Sequence, residues 1–349
     1  MTDQKQTRVL SLALILILLL AFALLYQRQM RQPEPISATS FKLNTVVSIS
    51  IYDSDDEALL TEAMALCDQY EAIFSRTRED SELYQLNHGT LPMENDSFVI
   101  SPKLAELIEK GLAYGDLSGG AFDIAIEPVS SLWDFTSQEK KLPDEALLEE
   151  ALPLVDYRDV TVKDTHLQFR QPGMGLDLGA IAKGCIADQI KEFLVSRGVG
   201  SAYINLGGNV LCIGDKPDGT PFRIGIQKPF ADRSETIALL EISDRSVVSS
   251  GVYERSFEKD GVLYHHILNP EDGYPYQNGL ISVTIISDQS VDGDGLSTSC
   301  FALGLEKGME LVNSLPDVQA VFITEDYELH FSDNFENEIS VVNAQNQEQ

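Results

Sequence analysis

The stretch Gly175-Leu-Asp-Leu-Gly-Ala-Ile-Ala-Lys-Gly-Cys-Ile-Ala-Asp188 decides how the rest of the chain is read. Leu176 and Leu178 read as the end of a strand, Gly179 as a turn and Ala180 onward as a helix. Ile181, Ile186, Ile190, Phe193 and Leu194 give that helix an apolar stripe, and Gly198 supplies a stop after Arg197. An acid (Asp177) and a base (Lys183) therefore flank a strand-to-helix turn. The first turn of such a helix offers unpaired backbone N–H groups and favours anions. The same residues also suit an ordinary buried corner with Asp177 as a cap. The glycines at 173, 175 and 179 are spaced wrongly for G-x-G-x-x-G, and no G-x-x-x-x-G-K-[ST] occurs in the chain. A phosphate held at this corner would be held by another geometry.

Outward from this corner, the 349 residues are enough for one large domain or two smaller ones, and 43% hydrophobic content can fill a core. A net charge of −30 argues against nucleic acid as a partner, because phosphate backbones need clustered Lys and Arg. It favours a solvated surface and a use for bound cations. Val9 to Tyr26 is an uncharged apolar run of about 18 residues, near the minimum for a membrane span. Lys5 and Arg8 precede it, Arg28 and Arg31 follow, and no small-x-small site stands directly after it. A retained N-terminal anchor is expected over a cleaved signal sequence. The expected organisation is a cytoplasmic N-terminus (1–8), an anchor (9–26), a linker (27–37), a catalytic body (38–340) and a disordered tail (341–349). Cys67, Cys185, Cys212 and Cys300 lie far apart in apolar segments and read as small buried thiols.

Val47, Ile49 and Ile51 alternate with Ser48 and Ser50, giving a half-buried strand over 46–52. An amphipathic helix is expected over 61–74, then a loop with a short helical piece to Asn87. Ser101-Pro102 caps and starts another helix, which ends near Gly115. Gly119-Gly-Ala-Phe-Asp123 follows, and two glycines there let backbone approach a ligand closely, or simply make a turn. Tyr203 to Ile213 reads as a hairpin with a Gly-Gly turn. Strands are expected over 236–242, 246–249, 281–286, 318–323 and 328–331, with a helix over 294–305. Strands and helices mix without regular alternation, so the fold class is α+β.

Asp294 and Thr298, four apart on a helix, share one face and offer hard oxygen ligands suited to Mg²⁺ or Ca²⁺. A helix cap is the competing role for Asp294. His265 and His266 are adjacent in or beside a strand, so their side chains point to opposite faces and at most one serves a site. Histidine is the usual group for taking a proton from a hydroxyl near neutral pH.

Taken together, these segments resemble the ApbE family of FAD:protein FMN transferases, from about residue 40 to about residue 323. The likeness rests on ordered blocks: Thr39-Ser-Phe-Lys-Leu-Asn-Thr45, Gly120-Ala-Phe-Asp123, Asp177-Leu-Gly-Ala-Ile-Ala-Lys-Gly184, Asn205-Leu-Gly-Gly-Asn209 and His266-Ile-Leu-Asn-Pro-Glu-Asp-Gly-Tyr-Pro275. A sixth, Asp294-Gly-Leu-Ser-Thr298, stands where the family carries its metal-binding Asp and Thr. The resemblance implies an α+β fold with central antiparallel-rich sheets and a cleft for FAD. It implies Mg²⁺ bound by Asp294, Thr298 and the carbonyl of Ala180, and an FAD site lined by Leu43, Thr77, Ala121, Phe122, Asp123, Asp177, Lys183 and Ile267. His266 matches the histidine of the family's H-I-x-x-P block. The family often has Met-Gly-Thr where this chain has Leu43-Asn44-Thr45, an aromatic residue at the place of Thr77, and a threonine at that of Ala125.

The implied reaction is Mg²⁺-dependent transfer of the FMN moiety of FAD to a threonine hydroxyl of an acceptor flavoprotein, with AMP leaving. The acceptor would belong to a membrane or extracellular redox system, and the enzyme would sit at the cell membrane with its body on the extracytoplasmic side. Two alternatives use the same residues: an FAD pyrophosphatase with water as acceptor, and a non-catalytic module that binds or delivers flavin.

Overall fold

Alternation sets the first hairpin. In strand β2 (Thr45–Ile51), Val47, Ile49 and Ile51 are fully buried while the residues between them face outward. It pairs with β1 (Ile36–Lys42) through a two-residue turn in which Leu43 and Asn44 both have φ near +55° (53° and 55°). Two left-handed residues are what a tight hairpin turn demands, and a leucine there is strained. The computed structural model describes residues 34–342, apart from 136, 138, 233, 234 and 334. The expected anchor (9–26) and the last residues of the expected tail (343–349) lie outside the described residues. Among the described residues no helix is long and apolar enough to cross a membrane.

In chain order there follow α1 (Glu57–Phe74), α2 (Glu82–Asn87), β3 (Met93–Glu94), β4 (Ser97–Val99), α3 (Pro102–Leu117), α4 (Glu127–Ser130), α5 (Glu145–Ala151), β5 (Val160–Lys163) and β6 (His166–Phe169). Then come α6 (Ala182–Ser196), β7 (Ala202–Leu206), β8 (Asn209–Ile213), β9 (Phe222–Gln227), β10 (Thr236–Ile242), β11 (Ser246–Gly251), β12 (Ser256–Lys259) and β13 (Val262–His265). The described chain closes with β14 (Leu280–Ser287), α7 (Ser290–Asn313), β15 (Gln319–Thr324), β16 (Leu329–Phe331), α8 (Phe335–Glu338) and β17 (Ser340–Val342).

The main sheet has eight strands in the order β1-β2-β7-β8-β11-β14-β15-β16, and each neighbouring pair is antiparallel. The expected α+β class with antiparallel sheets is the observed one. Helix α6 lies on β7 and β8, and α7 lies on β11, β14 and β15. Strand β14 is buried along its whole length. A smaller sheet, β17-β10-β9, presents Phe222 to the rings of Tyr52 and Tyr203, at centroid distances of 5.4 and 6.5 Å.

The two helices that carry the functional residues meet at Gly184. A Cβ there would stand 2.3 Å from the carbonyl oxygen of Ser290 and 2.6 Å from the Cα of Val291. Both obstacles are backbone, so a side chain would have to push α6 and α7 apart. Gly184→Ala is therefore expected to cost about 1–3 kcal/mol, the usual range for overpacking. Urea denaturation should show a lower midpoint, and an unchanged midpoint would mean that the two helices can separate at Gly184 without cost.

An aromatic satellite core positions the later functional turn. Trp133, Phe135, Phe257, Tyr264 and Tyr274 stack or meet edge to face. The indole N–H of Trp133 donates to the Gly273 carbonyl at 2.9 Å, which anchors the 266–275 turn to the 127–151 segment.

Several sequence expectations need correction. Residues 176–178 form no strand: the Leu176 amide donates to the Asn87 side chain at 2.8 Å, and Asn87 in turn donates to the Leu176 carbonyl at 2.9 Å. A side-chain clamp from 89 residues away does the work of a ladder. The helix that follows starts at Ala182, not Ala180, its N-cap residue is Ile181, and Asp177 accepts the Gly179 N–H instead of capping it. The helix expected from residue 61 begins at Glu57, capped by Asp56, and the one expected over 294–305 runs from Ser290 to Asn313 with a break at Gly304. The linker expected to 37 already contains the start of β1, and the tail expected from 341 contains the end of β17, which pairs with β10.

Candidate active site

A cavity of about 1320 Å³ opens between the main sheet, the start of α6 and the 266–275 turn. Ordinary small-molecule pockets span about 300–1,000 Å³, so this one suits a ligand of dinucleotide size. It is lined by every residue singled out from sequence: Leu43, Thr77, Ala121, Phe122, Asp123, Asp177, Ala180, Lys183, His266, Ile267, Asp294 and Thr298. In a chain of net charge −30, it also gathers Arg76, Lys183, Arg223 and Arg255. They share the lining with six acids, Glu71, Asp123, Asp134, Asp177, Glu254 and Asp294, so an anionic ligand there calls for further positive charge, such as a bound cation.

Asp294 sits in the first turns of α7 and is only 5% exposed. Its Oδ2 accepts the backbone N–H of Gly184 at 2.5 Å, and its Oδ1 accepts the Asn209 side-chain N–H at 3.1 Å. The Lys183 Nζ lies 3.8 Å from Oδ1. Burial holds the carboxyl above its ordinary pKa, and Lys183, Gly184 and Asn209 oppose that shift. Thr298, one turn on, lies 3.1 Å from the Ser250 hydroxyl, and Ser250 also meets Ser297 at 2.8 Å. The residues expected to share a helix face do so, and Asp294 does not cap its own helix, although its Oδ2 takes a first-turn N–H of α6.

These donors fit a hard divalent cation. The buried Asp294 carboxylate, the Thr298 hydroxyl and the Ala180 carbonyl belong to residues that line this one cavity, and all are oxygen donors. Among the described residues no group of three or more His, Cys, Asp or Glu side chains stands ready to hold a metal. A cation held by Asp294, Thr298 and the Ala180 carbonyl would neutralise phosphate charge.

Asp177 is tied down on three sides. Its Oδ1 accepts the Gly179 N–H at 3.0 Å, and its Oδ2 accepts the Ser130 hydroxyl at 2.8 Å and lies 3.0 Å from the Arg76 Nε. It shapes the turn and fixes Arg76 against the cleft. Asp123 is engaged differently: its two oxygens accept the N–H groups of Ala125 at 2.6 Å and Tyr157 at 2.9 Å. Burial raises its pKa to about 6. Its carboxylate thus holds the Gly120–Asp123 turn in shape, and the Ala121 carbonyl in that turn accepts the Tyr276 hydroxyl at 2.9 Å.

The histidine pair splits: β13 ends at His265, and His266 stands in the bend just beyond it. His265 is buried, its Nε2 lies 2.9 Å from the Tyr276 carbonyl, its Nδ1 accepts the Ile267 N–H at 3.3 Å, and its ring meets Phe301 edge to face. It is a satisfied core residue. His266 lines the cavity, and its Nδ1 is buried without a hydrogen-bond partner among the described residues. Burial first, then the charges of Arg255 and His265, push its pKa down to about 3. The ring is neutral and able to accept a proton.

Sequence reasoning passed over four contributors: Arg76, Asn209, Ser250 and Arg255. Asn209 alone carried a signal, at the end of the Asn205–Asn209 block. The four cysteines are free thiols, three buried and Cys185 half-buried, with burial raising the pKa of each.

Comparison with known proteins places this arrangement. A protein from Klebsiella pneumoniae named FAD:protein FMN transferase is 38% identical over 300 residues, covering 85% of this chain and 91% of its own length. One of the same name from Treponema pallidum is 35% identical over 329 residues, covering 88% of this chain and 90% of its own. Among solved structures, the flavin transferase ApbE from Vibrio cholerae superposes with a TM-score of 0.78 at 26% identity, over 87% of this chain and 99% of that one. The ApbE protein from Thermotoga maritima gives 0.78 at 28% identity, over the same shares. The ApbE family model matches residues 43–322, and the chain belongs to the ApbE family.

Proposed function

We propose that this transferase moves the FMN moiety of FAD to a threonine hydroxyl of an acceptor flavoprotein and releases AMP, with Mg²⁺ as its metal. The observation that carries the reading is the convergence of Asp294, Thr298, Lys183 and His266 on one cavity. FAD binds with its diphosphate near Lys183, where positive charge offsets that of the phosphates. A bound divalent cation supplies further charge neutralisation. His266 takes the proton from the acceptor hydroxyl as its oxygen bonds to the flavin-side phosphorus. The bond from that phosphorus to the bridging oxygen breaks, and the oxygen leaves with AMP.

The test is mass spectrometry of a candidate acceptor domain after incubation with FAD, Mg²⁺ and the protein. The expected result is an acceptor heavier by one FMN phosphoryl ester, with AMP formed in equal amount. Free FMN and AMP with no gain in acceptor mass would make the protein a pyrophosphatase instead. No AMP at all would leave only flavin binding.

The same proposal places the body outside the cytoplasmic membrane, held by the apolar run from Val9 to Tyr26. Protease added to intact cells should then degrade the body. Survival of the body until the cells are lysed would overturn the outward orientation.

A further inference from the structure

We infer that Asn209 is the positioning residue for Asp294, acting at the end of a one-way chain of buried hydrogen bonds. The inference rests on the reading of Asp294 as a ligand to a divalent cation.

The chain has four members, all buried: Ser246 and Ser290 at 0% exposure, Asn209 at 1% and Asp294 at 5%. Its direction follows from proton counting. A carboxylate can only accept, so the Asn209 side chain turns its NH₂ to Asp294 Oδ1 at 3.1 Å. That leaves the Asn209 Oδ1, also acceptor-only, facing the Ser290 hydroxyl at 2.7 Å. Ser290 has one proton and directs it there. Ser246, 2.9 Å from Ser290 Oγ, then cannot accept from it, and its single proton is shared between Ser290 Oγ and the Val210 carbonyl at 3.1 Å. Three elements contribute: β11, the start of α7 and the start of β8.

At Asp294 the chain meets a second donor. The Gly184 N–H occupies Oδ2 while Asn209 occupies Oδ1. Two donors on separate oxygens fix the rotation of the carboxylate and leave each oxygen one free lone pair. Lys183, at 3.8 Å, is too far to set that rotation by a hydrogen bond. Packing gives no reason for an amide at this position. Asn209 opens a strand whose other members, Val210 to Ile213, are apolar and buried, and a buried amide is costly unless every partner is supplied. Here the partners are supplied, and the polar end of the series is the one carboxylate on the cation wall.

The test is calorimetric titration of the full chain with Mn²⁺ in the absence of FAD, so that no turnover enters the reading. Asn209→Ala is expected to weaken Mn²⁺ binding about 10–100-fold, the usual loss when a group that orients a metal ligand is removed. Ser290→Ala should weaken it less and in the same direction, because the amide is then free to flip. Circular dichroism and urea midpoints set the folded fraction, and if Asn209→Ala does not fold, Ser290→Ala carries the test. Asp294→Ala separates the two readings. If wild type binds Mn²⁺ and Asp294→Ala does not, yet the folded Asn209 and Ser290 variants both keep wild-type affinity, the positioning role is wrong and the cation reading stands. If Asp294→Ala binds as wild type does, or wild type binds none, the cation reading fails and takes this inference with it.

Discussion

Asp294→Ala is expected to lower flavin transfer by about 10³-fold or more, while the thermal midpoint moves little. The two halves of this expectation have different causes. Charge stabilisation of a transferring phosphoryl group is worth several kcal/mol, and 1.36 kcal/mol is a factor of ten. Asp294 is the carboxylate on the wall with Thr298, and neutral oxygens alone bind Mg²⁺ weakly because that ion dehydrates reluctantly. Stability responds to opposing terms. Removing Asp294 leaves the Gly184 and Asn209 N–H groups without their acceptor, at about 1–3 kcal/mol each. It also removes a buried charge whose desolvation costs several kcal/mol and whose nearest cation is 3.8 Å away. A residue kept for folding would lose both stability and activity together. Steady-state transfer assays beside calorimetric melting separate the cases: wild-type activity at ordinary Mg²⁺ would sink the metal assignment, and a large fall in midpoint would make Asp294 a structural residue.

Much of this site was legible because local patterns carried it. The four-residue spacing of Asp294 and Thr298 survives into the structure because both lie on one helix. Alternation anticipates that only one of His265 and His266 serves the cavity, although β13 ends at His265 and His266 stands in the bend beyond it. The irregular parts were hidden by long-range contacts. Leu176 and Leu178 alternate and are buried, which mimics a strand, yet the segment is held by Asn87 from another part of the chain. Strand β1 is hard to read from sequence because Ile36–Lys42 mixes polar and apolar residues and lies at a sheet edge, where one side has no neighbour among the described residues. Asp177 resembles a cap because acids favour helix starts, but besides the local Gly179 N–H its partners are Ser130 and Arg76, 47 and 101 positions away in sequence. The role of Gly184 shows only when a second helix is laid across it. In each case periodicity reports which face is buried but not what it is buried against.

His266→Ala is expected to lower transfer about 10²–10⁴-fold, the usual contribution of a well-placed general base, with FAD and metal binding nearly unchanged. A threonine hydroxyl is a poor nucleophile until its proton has an acceptor, and His266 is the imidazole that lines the cavity. His265→Ala should act on stability instead, since that ring fills the core against Phe301 and spans the Tyr276 carbonyl and the Ile267 N–H. The pH profile adds an independent sign. Burial, Arg255, His265 and Lys183 all disfavour the imidazolium, which pushes the His266 pKa down to about 3 from an ordinary 6.5. The base is therefore unprotonated through the mildly acid range, and kcat/KM, which reports the free enzyme, should not show a histidine limb near pH 6.5. Bound FAD brings negative charge beside the same cations and so favours the imidazolium. Hence the acid limb of kcat should lie at higher pH than that of kcat/KM. A base of pKa about 3 would be a weak proton acceptor, and this upward shift on binding moves it toward the working pH as the substrate arrives. Three results would remove His266 from this role. They are a slower His265→Ala than His266→Ala at equal folded fraction, loss of FAD binding in His266→Ala, and a kcat limb at lower pH than that of kcat/KM.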